Sequence, residues 1–110
     1  MTDFVHWYAL RDAAEHAPAG PGVLQIKIPE GLRNYPSGKS AMVHYARSQN
    51  LQEELIRLAG EHDELDFLCR HQSSEQPAVL LEFVQTQFER RFGTAPSWPQ
   101  ATDSIEHRRS

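Results

Sequence analysis

The residues able to do chemistry in this chain fall into two short stretches. The first runs from Ser37-Gly38-Lys39-Ser40 to His44-Tyr45, and the second is Cys69-Arg70-His71. An imidazole titrates near neutrality, so His44 is a candidate proton acceptor, with Tyr45 or Tyr35 as a second polar group. Cys69 has a cation and a base beside it in sequence, the neighbours that activate a thiolate. His44, Cys69 and His71 are also possible zinc ligands.

Spacing narrows these options. Structural zinc sites join two close ligand pairs, and the chain offers only Cys69-Arg70-His71, so no metal is expected. The remaining histidines, His6, His16, His62 and His107, are scattered and read as surface residues. Strand alternation turns Arg70 away from Cys69, and a single thiol in an apolar stretch reads as buried and structural. Gly38-Lys39-Ser40 resembles the end of a phosphate-binding loop. That motif needs glycine where Arg33 stands, and it needs a following helix where the pattern here is a strand.

The elements that must position these residues follow from periodicity. Helical spacing of Phe4, Trp7, Tyr8, Leu10, Arg11 and Ala14 predicts a helix over 4–16 with its aromatic residues in the core, stopped by Ala17-Pro18-Ala19-Gly20-Pro21-Gly22. Val23 to Ile28 alternates as a half-buried strand, with Leu24, Ile26 and Ile28 on one side. Residues 30–40 read as a long hairpin connection. A second strand covers 41–46, with Ala41, Val43 and Tyr45 opposite Met42 and His44. Asn50 is the expected N-cap of a helix, Glu53 its capping-box acid, and Leu51, Leu55, Leu58 and Ala59 its buried stripe. Leu65, Phe67 and Cys69 mark a third strand, followed by a polar turn over 72–76. Pro77 opens a last helix buried through Leu81, Val84, Phe88 and Phe92 and stopped by Gly93. The expected fold is α+β, a small three-stranded, mainly antiparallel sheet flanked by helices in the order α-β-β-α-β-α. One domain is expected over 1–99 and a mobile tail over 100–110.

This order resembles the GIY-YIG nuclease domain over about residues 7–99. Pro21-Gly22-Val23-Leu24 falls at the first motif, Gly38-Lys39 in the hairpin, His44-Tyr45-Ala46 at the second motif, Asn50-Leu51 at the helix start and Phe92-Gly93 at the end of the last helix. The resemblance implies a site for phosphodiester hydrolysis built from tyrosines of the two strands, an arginine of the first core helix and a metal-binding glutamate of the last helix. At those positions this chain has Leu24, His44, Glu54 and Gln85, expected to line one pocket. Leucine has no proton to exchange, a carboxylate in place of a guanidinium repels phosphate, and an amide lacks the formal charge a hard cation prefers.

The expected function is therefore a non-catalytic GIY-YIG-like binding or interaction module, with no catalytic residues and no cofactor. The enzyme alternative is a divergent endonuclease that uses a divalent metal, with His44 as general base beside Tyr45 and Glu82. A third reading is an unrelated protein-binding α+β domain using Trp7, Tyr8 or Trp98.

The 110 residues suit one domain, able to bury roughly 65% of its unfolded surface. A net charge of -4 speaks against a dedicated nucleic-acid binder, although Lys27, Lys39, Arg57, Arg70, Arg90 and Arg91 are candidates for a local basic surface. A protein partner is expected, with no membrane contact. The single cysteine and the absence of a signal-like start give a cytoplasmic expectation.

Overall fold

The structure is a computed structural model that describes residues 6–63 and 65–99. Its centre is the strand β2 (Gly22–Lys27), where Val23, Leu24 and Ile26 are all fully buried. Apolar and β-branched side chains on both faces suit a strand covered on both sides. Two antiparallel neighbours flank it. β5 (Met42–Ser48) pairs from Gly22↔Ser48 to Lys27↔Met42, and β6 (Leu68–Ser73) from Gly22↔Ser73 to Lys27↔Leu68. The edge strand β1 (Tyr8–Ala9) completes a four-stranded sheet of order β1-β6-β2-β5.

The α+β class stands, while the three-stranded sheet and the stated order need correction. Residues 30–40 form a hairpin of their own, β3 (Arg33–Tyr35) against β4 (Gly38–Ser40), which makes a second, two-stranded sheet. The long helix expected over 4–16 is not formed. Tyr8 and Ala9 pair with Cys69 and Leu68, which leaves a four-residue helix α1 (Leu10–Ala13) and a 3-10 turn (Ala14–His16). The exposed edge of β6 supplies hydrogen bonds that outweigh the local helical spacing. The start of that predicted helix, and the tail over 100–110, lie outside the described residues.

Helix α2 (Leu51–Glu61) begins where expected. The Asn50 side chain accepts a hydrogen bond from the Glu53 amide at 3.1 Å. The Leu51 and Gln52 amides donate to the carbonyls of Gly20 and Pro18, so the first turn is satisfied without a full capping box. The Asn50 amide donates to Ser48 Oγ at 2.9 Å, taking the role foreseen for Glu53.

Helix α3 (Pro77–Phe92) buries Leu80, Val84 and Phe88, whereas Leu81 and Phe92 are only half-buried. Gly93 ends it with φ 88°, a left-handed conformation that glycine adopts without penalty.

The two long helices lie on opposite faces of the sheet. Leu51, Leu55 and Leu58 of α2 join Leu24, Ile26, Ile28, Val43, Phe67 and Cys69 in the main core. Leu80 and Val84 of α3 pack with Val23 and Tyr45 on the other side. A bulge between Ile26 and Lys27 lets Val43 enter the main core, so Val43 and Tyr45 do not share the face that simple alternation assigns them.

Candidate functional site

Of the four motif positions, three lie on the α2 side of the sheet. Leu24 is completely buried among the core residues of β2 and α2. His44 stands opposite Ile26 on β5, half-buried, and its ring lies 4.8 Å from that of Trp98. Glu54, on α2, is near enough to act on the His44 charge. Gln85 belongs to α3, across the sheet, so the expected single pocket is not formed. Tyr45 and Glu82 are displaced in the same way. Tyr45 packs edge-on against Phe88 on the α3 side, and Glu82 is exposed on α3. Adjacent strand residues point to opposite faces, so His44 and Tyr45 cannot act on one substrate atom.

The group around His44 is closed by a residue of the C-terminal segment. Trp98 stacks on His62 with 3.7 Å between ring centroids and meets Phe67 edge-on at 5.1 Å. Two anchors hold this strap. Arg33, which is buried, donates to the carbonyl of Ser97 and to Ser97 Oγ, and the Ser97 amide donates to Tyr35 Oη. Tyr35 in turn donates to the Met42 carbonyl at 2.6 Å, which joins the hairpin to β5. The strap thus leaves α3 on one face of the sheet and delivers an indole to the other.

Electrostatics here favour neutrality. Burial lowers the pKa of His44, His62 and Arg57 lower it further, and only Glu54 opposes them. Arg57 is itself held by Glu54 and by Glu61 at 2.9 Å, which raises its pKa and offsets its charge. Arg57, a candidate for a local basic surface in the sequence, stands one turn after Glu54 and so on the same side of α2. A cleft of about 90 Å³ beside this stack is lined by Leu10, Ala59, His62 and Phe67, well under the ~300 Å³ at which small-molecule pockets begin.

The other candidates resolve into packing. Cys69 is buried, and burial pushes its thiol up to about 12, far from a reactive thiolate. His71 is buried on the same strand, its pKa lowered by burial and then by His16, while His16 stacks on Tyr8 at 3.9 Å. Tyr45 is likewise driven up to about 12 by burial, against a smaller opposing effect of Arg70. Gly38-Lys39-Ser40 is strand β4 and is not followed by a helix. Among the described residues, no three His, Cys, Asp or Glu side chains are grouped to hold a metal ion.

Trp7, expected in the core of a helix, lies half-buried over the α3-side face of the sheet. Its ring centroid is 4.3 Å from Lys27 Nζ and 4.5 Å from Arg70 Cζ. The signal for this was present in the polar phase of two strands, Lys27 in β2 and Arg70 in β6.

Among the described residues no helix is long and apolar enough to cross a membrane. Compared with known protein families, with curated proteins and with solved structures, the chain matches none.

Proposed function

We propose that this chain is a GIY-YIG-like domain that does not cleave phosphodiesters and works as a binding module for another protein. The observation that carries this reading is the packing at the motif positions. Leu24 is sealed in the core, and the His44 ring lies against Trp98 where a substrate phosphate would need access. Glu54 and Glu61 engage Arg57, so its guanidinium is already compensated and is not left to meet developing negative charge. The order β2, hairpin, β5, capped α2, β6, α3 supports the family resemblance. Incubating the purified protein with single-stranded, duplex and branched DNA and magnesium or manganese tests it. No cleavage is expected, and metal-dependent cleavage lost in His44→Ala would reject the reading.

One observation favours the enzyme alternative. Burial keeps His44 in its neutral form, the form a general base requires, and Arg57 is near enough to influence it. That reading needs a divalent metal. Calorimetric titration with magnesium and manganese separates the two, because a non-catalytic module gives no saturable heat.

A further inference from the structure

Strand β5 ends the four-stranded sheet on the side away from β1, so one of its edges has no strand beside it. Alternation decides which groups that edge presents. The Pro21 carbonyl accepts from the Ser74 amide on the β6 side, and the Ile28 amide donates to the Ala41 carbonyl on the β5 side. Odd-numbered residues of β2 therefore turn their backbone groups to β6 and even-numbered ones to β5. Leu24 and Ile26 face Ala46 and His44 across the ladder, which leaves the N–H and C=O of Tyr45 and Arg47 directed outward. Among the described residues, no backbone group pairs with them.

The features that protect a sheet edge gather at the other end of this strand. The bulge lies at Ile26/Lys27, Tyr35 holds the Met42 carbonyl, and the strap brings Trp98 to His44. From His44 to Ser48 the strand has no proline and one formal charge, Arg47. That side chain is exposed, and no hydrogen bond or ion pair holds it among the described residues.

The best complement on the page is the same strand of another copy. Antiparallel pairing of β5 with β5, centred on Ala46, sets each Tyr45 opposite the other copy's Arg47 and satisfies the outward N–H and C=O of both. Each guanidinium then lies beside a half-buried tyrosine ring, a favourable cross-strand pair. On the α2 side Ala46 meets Ala46, each already packed on the main core and small enough for close approach. Other centres fit worse. Centring on Arg47 puts two guanidinium groups face to face, and centring on Tyr45 runs the pairing into Val43 at the bulge. Charges of the covering helices do not oppose the arrangement. The carboxylates of α3, Glu82 and Glu89, are opposite in sign to Arg47, and Arg90 and Arg91 stand at the end of α3 that bonds the hairpin through Phe92 and Ser37. On the α2 side, Glu54 and Arg57 engage each other.

We propose that the outer edge of β5 pairs with β5 of a second copy of this chain, joining the two sheets into one about a two-fold axis at Ala46. This goes beyond the reading of the chain as a module for another protein and does not rest on the family resemblance. The two fail separately. DNA cleavage would overturn the module reading and leave this edge untouched, whereas a monomer at every concentration would overturn only the present proposal.

The test is sedimentation velocity on the full chain from about 5 to about 500 µM, with association to twice the monomer mass expected at roughly tens of micromolar, as suits a small interface. Arg47→Gln keeps the backbone and should weaken association by roughly threefold or more. Arg47→Pro deletes an outward N–H at a place where an edge strand accepts proline, and should weaken it by about tenfold or more, with circular dichroism as the check of folding. Cross-linking decides the register and serves where Arg47→Pro does not fold. Facing residues of a pair without mutual hydrogen bonds have Cα atoms about 4.5 Å apart, within reach of a disulfide. Ala46→Cys should therefore form a covalent dimer in oxidised glutathione at least about tenfold faster than Ser48→Cys, which faces His44 of the other copy, while the buried Cys69 stays silent. A monomer at the highest concentration, undiminished association of Arg47→Gln, or equal cross-linking of the two cysteine variants would each overturn the proposal. In a monomer, slow hydrogen exchange of the Tyr45 and Arg47 amides would assign the edge to residues 100–110 of the same chain, and fast exchange would leave it to a foreign strand.

Discussion

Trp98 and His62 lie face to face, with ring centroids 3.7 Å apart and planes 3° from parallel. This contact joins the strap after α3 to the C-terminal end of α2, on the far side of the sheet from α3 itself. The indole is the one large apolar group that the strap contributes to the main core. Replacing it removes contacts with His44, His62 and Phe67 together.

Trp98→Ala should therefore lower unfolding stability by about 2 kcal/mol, below the usual range for a fully buried tryptophan because this ring is half-exposed. Urea denaturation checks this, and a change under about 0.5 kcal/mol would show that the strap does not close the core.

Stability should fall on the acid side of neutrality. His44 and His71 both have pKa values lowered in the folded state, by burial first, so the unfolded chain binds more protons as pH drops. Their contribution is fully present above the unfolded value of about 6.5 and is lost as pH falls toward the lower folded values. Urea midpoints at about pH 7.5 and pH 5.5 should differ in that direction, with a smaller difference in His44→Gln.

Cys69 should be silent toward thiol reagents in the folded protein. Its side chain is buried and its pKa stands near 12, so at mildly alkaline pH the thiolate is scarce and shielded. Colour development with a disulfide reagent should appear only when denaturant is added. Prompt reaction in buffer would place the thiol at the surface.

Gly22 has no room for a methyl group. A Cβ there would lie 2.3 Å from the Gln72 carbonyl oxygen and 2.6 Å from Leu51 Cδ1. Gly22→Ala should cost about 3 kcal/mol or more, since backbone of β6 and the first residue of α2 would both have to move. A thermal midpoint within a degree or two of the wild type would contradict the close packing of β2, β6 and α2.

Much of this framework is legible in the residues. Alternation at Val23 to Ile28, the Asn50 cap and the Pro77 and Gly93 boundaries mark elements that form at those places. These signals are local, set by side-chain polarity and by unpaired helix-end amides. The short strand Tyr8–Ala9 was hidden because its reason is distant, an unfilled edge of β6. The hairpin sheet was hidden too, because its strands are three residues each and bounded by turn formers. The site was less legible than the fold. The resemblance implies one pocket for Leu24, His44, Glu54 and Gln85, and nothing local in the sequence places α3, with Gln85, across the sheet from the other three. Trp98 enters the His44 group through a tertiary contact that no spacing rule reports.

If the chain is the non-catalytic module proposed, the packing around Leu24, His44 and Glu54 leaves no site for phosphodiester cleavage. The most direct measurement is cleavage of branched DNA with protein in excess over substrate and manganese present, run side by side on the wild type, Trp98→Ala and His44→Ala. Intact DNA is expected in all three, including the variant whose indole no longer covers His44. Cleavage by the wild type or by Trp98→Ala that disappears in His44→Ala would contradict it.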